Sequence, residues 1–130
     1  MRFFLRPGLV RSNLREMVYD ETLITDGVVA AYYEPLRRPG AWAVQLQLER
    51  NWRPAWVEAN LEQITTPTLV VWGQNDPWHP LSMAREFGRR IVRAEVVVLP
   101  ACGHLPHEER PDDFNRLVLE FLAQHKGEGV

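Results

Sequence analysis

The sequence is poor in the residue types that would mark several large classes of protein. Cysteine occurs once, at Cys102, so no internal disulfide can form, and thiol-based zinc motifs need more ligands than this. A reducing compartment is the natural setting. Excess charge is also missing: 15 Lys and Arg stand against 17 Asp and Glu, for a net charge of -2, and they are scattered in mixed clusters. No basic stripe is available to neutralise phosphates, which argues against a nucleic-acid partner. No apolar run approaches the length of a membrane span. In "MRFFLRPGLVRSNL", Arg6 and Pro7 interrupt the apolar patch before it reaches the length of a signal peptide core, and no small-residue cleavage site follows. A soluble, cytoplasmic protein is expected, with no membrane association. Serine is scarce, with Ser12 and Ser82 the only two, and neither has flanking glycines. The sequence G-x-S-x-G, which presents a nucleophilic serine on a sharp turn, does not occur.

What is present divides near residue 60. With 130 residues, 45% of them hydrophobic, the chain lies in the ordinary globular range and is long enough for one domain with a moderate core. Residues 1–60 read as helices and loops. Leu9, Asn13, Leu14, Met17 and Val18 have helical spacing, "TDGVVAAYYEPL" starts at a capping residue, Thr25, and ends near Pro35, and "PGAWAVQLQLERNW" suggests a third helix that Pro54 should stop. Residues 61–130 read differently. "TPTLVVWG" and "AEVVVLP" are continuous β-branched runs that suit strands buried on both faces, and "PLSMAREFGRRIVR" between them puts Ala84, Phe87 and Ile91 on one helical face. Strand, helix and strand then form a parallel βαβ unit. Phe114, Leu117, Val118, Phe121 and Leu122 mark a last helix, with Pro111 in its first turn. The fold class is α/β. Two parallel strands with no third in sight leave open edges, so the unit reads as part of a larger sheet.

The chemistry sits at the strand ends. "WGQNDPWHP" places Asp76 in a loop at the carboxyl end of the first strand, and "PACGHLP" places His104 likewise after the second. In open parallel sheets reactive groups collect outside these ends, so neighbouring strands can bring Asp76 and His104 together across 28 residues of sequence. A histidine acting as a general base needs such a carboxylate to hold one tautomer and stabilise the imidazolium. The order acid, then histidine, along the chain is the order of the last two members of one catalytic triad arrangement.

"PTLVVWGQNDPWHP" and "VVVLPACGHLPHEERPDDFNRLVLEFL", with the helical segment before them, resemble the C-terminal portion of an α/β-hydrolase. The resemblance covers most of the chain. It implies that Asp76 is the triad acid and His104 the base, that Gly103 permits a tight turn, and that Pro111 with Phe114 opens the last helix. Residues 1–60 would be a helical lid or cap, and residues 61–130 the C-terminal β-α-β-α part of the core. A small, apolar substrate is implied, cleaved at an ester, amide, epoxide, haloalkane or C–C bond, with no cofactor and no metal. Where the pattern breaks is the nucleophile. The chain therefore reads as a fragment of an enzyme, inactive alone, and a truncated gene product or a natural fragment would look the same. The competing expectation is a non-catalytic piece that pairs with a partner or a second copy through its uncovered strand edges.

The remaining candidates have plainer expectations. Cys102 lies beside the histidine on a strand-to-loop turn and reads as a packed thiol. His104 and His107 are three apart, but Pro106 between them should break the helical face a metal site would use. His79 and His107 read as loop residues, and Glu109 as support for the start of the last helix. Trp42, Trp52 and Trp56 read as core in preference to a pocket lining, and Trp78, two residues after Asp76, falls nearer the pocket with the same two readings open.

Overall fold

The protein is described from a computed structural model covering residues 6–127. It divides into two compact units. The first holds Glu21–Ala59 together with the described residues up to Glu16; the second holds Met17–Asp20 and the chain from Asn60 onward.

The first unit is helical. α1 spans Pro7–Met17 and α2 spans Asp26–Leu36, followed by α3, Ala41–Asn51, and α4, Pro54–Ala59. Thr25 caps α2 as its sequence foretells: it is extended, and its hydroxyl accepts the Val28 N–H. α1 buries Val10 and Leu14, one turn apart, while Leu9 is exposed, so its inner face is rotated one position from the face first read. Arg11 donates to the Ile24 carbonyl and pairs with Asp26, which ties α1 to the start of α2. α3 ends before Pro54 as expected, yet Pro54 also opens α4, because proline has no N–H to lose at a helix start. The core reading of the tryptophans is overturned. Trp42, Trp52 and Trp56 are 51%, 67% and 65% exposed, on helices α3 and α4 that bury no residue.

The second unit carries the sheet. β1, Thr68–Gly73, and β2, Ala94–Leu99, pair in parallel with Thr68 opposite Ala94 and Gly73 opposite Leu99. α5, Leu81–Arg90, connects them. It packs on the sheet through the fully buried Ala84 and through Phe87, whose ring meets Trp72 of β1 edge to face; Ile91, just past its end, is buried too. Gly88 lies mid-helix, where glycine is costly, because a Cβ there would come within 2.5 Å of the Val96 side chain. Close approach of α5 to β2 outweighs the lost propensity. Burial of the strands is less complete than their sequences suggest: Val70, Gly73 and Leu99 are buried, while Val96 and Val98 stay 37% exposed. β1 and β2 form the one sheet among the described residues, so little covers them beyond α5 and the last helix.

After β2 come a short helix, α6, Pro106–Glu109, and the long α7, Pro111–Gln124. Pro106 starts α6 where a break was expected, and His104 lies outside it, so His104 and His107 still share no helical face. α7 turns Phe114, Leu117, Val118 and Phe121 partly inward and leaves Leu122 exposed. No helix among the described residues is long and apolar enough to cross a membrane.

Candidate active site

Asp76 and His104 meet where β1 and β2 end. Beyond the strands the pairing continues through the loops: Gln74 N–H donates to the Leu99 carbonyl at 2.9 Å and Asn75 N–H to the Cys102 carbonyl at 2.8 Å. These two bonds fix one loop against the other. The approach is so close that a Cβ on Gly73 would lie 1.9 Å from the Gly103 carbonyl oxygen, so only glycine fits there. The His104 Nδ1 and Asp76 Oδ2 atoms then stand 2.8 Å apart.

The carboxylate is held on both oxygens. Asp76 Oδ1 accepts the backbone N–H of Trp78 at 2.8 Å and of His79 at 3.0 Å, which leaves Oδ2 for the imidazole. Its side chain is only 6% exposed, and that of His104 is 25% exposed. Burial pushes the Asp76 carboxyl up. The hydrogen bonds from His104 and from the His79 and Trp78 N–H groups outweigh it, and the carboxyl lies below its ordinary value. An ionised Asp76 can only accept, so the neutral imidazole carries its proton on Nδ1 and leaves Nε2 as the basic nitrogen.

The loop carrying His104 is pinned from a second direction. Its own N–H donates to the Met17 carbonyl at 2.7 Å. Glu109 accepts the N–H groups on either side: Gly103 at 2.9 and 3.0 Å to its two oxygens, and Leu105 at 3.1 Å. The same carboxylate takes the Tyr19 N–H at 2.7 Å. Gly103 thus has a different reason for being glycine than a tight turn. Its φ is not positive, whereas Ala101 has a φ of 48°, and a Cβ on Gly103 would lie 2.5 Å from the Met17 carbonyl oxygen. The left-handed residue is Ala101; Gly103 admits a neighbouring strand of backbone.

Two aromatic rings flank the histidine. The Trp78 centroid is 5.0 Å and the His79 centroid 5.2 Å from that of His104, and both residues are exposed. The sequence marks His79 only as a loop residue; its place beside His104 follows from the backbone turn at Asp76. A regular spacing signal for it does not exist in the sequence. Cys102, next along the loop, is fully buried, and burial with the charges of Glu109 and Asp76 pushes its thiol up to about 11 against a smaller opposing effect of Arg110. It is a protonated packing group, as expected. Among the described residues no cluster of three or more His, Cys, Asp or Glu could hold a metal ion.

Comparison with known proteins adds relatives to this geometry. Residues 1–117 match the alpha/beta hydrolase family. The chain is 32% identical over 127 residues to a 2-hydroxy-6-oxo-6-phenylhexa-2,4-dienoate hydrolase of Burkholderia cepacia, a match covering 94% of this chain and 44% of that one. It is 31% identical, with the same coverage, to a 2-hydroxy-6-oxononadienedioate/2-hydroxy-6-oxononatrienedioate hydrolase of Comamonas testosteroni. Among solved structures, it superposes on a meta-cleavage product hydrolase from Pseudomonas fluorescens IP01 with a TM-score of 0.79 at 29% identity, covering 94% of this chain and 47% of that one. The chain spans about half the length of the relatives it matches.

Proposed function

This chain belongs to the alpha/beta hydrolase family, and on that premise we propose that Asp76 and His104 are the acid and base of a nucleophile–histidine–acid centre that hydrolyses a C–C bond in a small conjugated substrate. The observation that carries the reading is the 2.8 Å contact between Oδ2 of Asp76 and Nδ1 of His104 at adjacent strand ends. Such a pair holds the imidazole with Nε2 toward the reacting atoms. His104 takes a proton from the nucleophile or from water and returns it to the leaving group, while Asp76 orients the ring and stabilises the imidazolium. The substrate class is supported by the relatives, whose names are those of dienoate and meta-cleavage product hydrolases.

The nucleophile, in this reading, comes from outside these 130 residues. Ser12 lies in α1 and Ser82 in the first turn of α5, neither on a strand-to-helix turn, and Cys102 is a buried, protonated thiol. Residues 1–60 act as the lid over the substrate and residues 61–130 supply the acid and the histidine. The 130 residues alone are therefore expected to be inactive.

The test is loss of dienoate absorbance, measured for the 130-residue chain and for the longest product of its reading frame, each with its His104→Ala variant. The reading expects no turnover from the 130 residues and, in a longer product that contains a nucleophile, a rate lowered about 10³-fold or more by His104→Ala. Turnover by the 130 residues, or a longer product indifferent to His104→Ala, would overturn it.

A second reading is favoured by the uncovered sheet. Val96 and Val98 are each 37% exposed and Leu119 and Leu122 of α7 are 66% and 59% exposed, which suits a chain that pairs through strand edges with a partner or a second copy. Solution mass separates the two: concentration-dependent association without turnover in any longer product favours the second.

A further inference from the structure

Glu109 is the last residue of α6 and lies before the last helix, not at its start, so its expected support of that helix gives way to a different role. Its two oxygens collect three backbone N–H groups from two separate stretches of chain: Gly103 and Leu105, on either side of His104, and Tyr19, far away in sequence. The intervening His104 N–H goes to the Met17 carbonyl, two residues before Tyr19. Three consecutive N–H groups, at 103, 104 and 105, are thereby fixed to one carboxylate and to the segment that the same carboxylate holds. The backbone that carries the imidazole is thus held on three successive amides. Among the described residues no other carboxylate bonds these amides. The hydrogen bonds of Glu109 go to backbone N–H groups and that of the imidazole goes to Asp76, so Glu109 acts on the ring through the backbone.

We propose that Glu109 is a positioning residue: it sets the orientation of the His104 ring toward Asp76 by clamping the peptide groups on both sides of it against the Met17–Tyr19 segment. The requirement is for a group that accepts on both oxygens. In Glu109→Gln the amide nitrogen replaces one of them, and either orientation fails. Gly103 N–H touches both oxygens, and the nitrogen would also face the N–H of either Tyr19 or Leu105, placing donor against donor. Isosteric replacement therefore breaks the clamp without removing volume. The consequence for turnover rests on the reading of His104 as the base; the positioning itself does not.

The experiment follows the His104 ring by ¹⁵N and ¹H nuclear magnetic resonance in the 130-residue chain, with urea denaturation run beside it to score only folded protein. In the unaltered chain the ring is expected as a single species protonated on Nδ1, with a downfield proton shared with Asp76. In folded Glu109→Gln that proton signal is expected to be lost and the ring to divide between tautomers. An unchanged ring signal in a folded but less stable Glu109→Gln protein would overturn the proposal, since the carboxylate would then be structural only. If Glu109→Gln does not fold, Glu109→Asp is read in the same way: it keeps the charge but its shorter arm cannot span Tyr19 and Leu105, and the ring signal must change. Loss of folding in both variants overturns the proposal as well, by making Glu109 a determinant of the fold and not of the ring. Because no substrate is involved, a ring that responds to Glu109 in an enzyme indifferent to His104→Ala would separate failure of the reaction from failure of the positioning.

Discussion

The two units of the chain use apolar and polar groups in opposite ways. Around β1, β2 and the loops beyond them, backbone meets backbone so tightly that Gly73 and Gly103 admit no Cβ, and Asp76 and Glu109 each take several N–H groups. On α3 and α4 the reverse holds: no residue is buried, and Trp42, Trp52 and Trp56 face outward with Val44, Leu48 and Val57. The difference teaches where structure is enforced. The strand-end loops are held by many hydrogen bonds, which is the fixed geometry that the proposed acid–base pair would require. On α3 and α4, among the described residues, no comparable set of bonds fixes the exposed apolar side chains.

Glycine substitutions should separate the units most sharply. Gly73→Ala would drive a methyl into the Gly103 carbonyl and should cost about 3 kcal/mol, whereas Gly8→Ala in α1, with nothing within 4 Å, should be neutral or stabilise by about 0.5 kcal/mol. Urea denaturation of both variants checks this; equal effects would erase the contrast. A smaller effect is expected in acid. Asp76 and Glu62 both ionise below their ordinary values in the folded chain. For Asp76, hydrogen bonds from His104, His79 and Trp78 outweigh burial; for Glu62, hydrogen bonds from Arg90 bring the carboxyl to about 2. The unfolded chain thus takes up protons first as pH falls. Stability from these groups is complete above the ordinary carboxylate range and is lost on descent, with the Glu62 part persisting toward about pH 2. Acid unfolding followed by circular dichroism should therefore begin at higher pH in Glu62→Gln. The smallest change is expected on α3 and α4, where Trp52→Ser and Trp56→Ser should each alter stability by less than about 0.5 kcal/mol. A loss of several times that, measured by the same denaturation, would show those rings to be core after all.

The sequence makes the second unit legible and the first only partly so, for physical reasons visible in single residues. Strands β1 and β2, helix α5 and helix α7 follow from β-branched runs and helical periodicity, and the meeting of Asp76 with His104 follows from where those strands stop. Membership of the hydrolase family was legible in the same residues. What periodicity could not reveal was anything made by loop backbone: the Glu109 clamp, the place of His79 beside His104, and the packing reason for Gly103 all depend on segments distant in sequence. The prolines end helical runs as the sequence suggests, but what they begin was not legible, because their effect depends on position. Pro54 and Pro106 open short helices, where a proline's missing N–H costs nothing, and neither is a simple stop. The tryptophans of α3 and α4 misled because hydrophobic composition alone does not say what covers a face.

The central claim is that Asp76 and His104 form one working acid–base pair, and the His104 imidazole tests it most directly. In the unaltered chain its nuclear magnetic resonance signals should show a neutral ring protonated on Nδ1 with a downfield proton, and Asp76→Asn should abolish that proton and shift the ring toward the other tautomer. A ring protonated on Nε2 in the unaltered chain, or one whose signals are the same with and without the Asp76 carboxylate, would contradict the pairing from which the proposed chemistry is built.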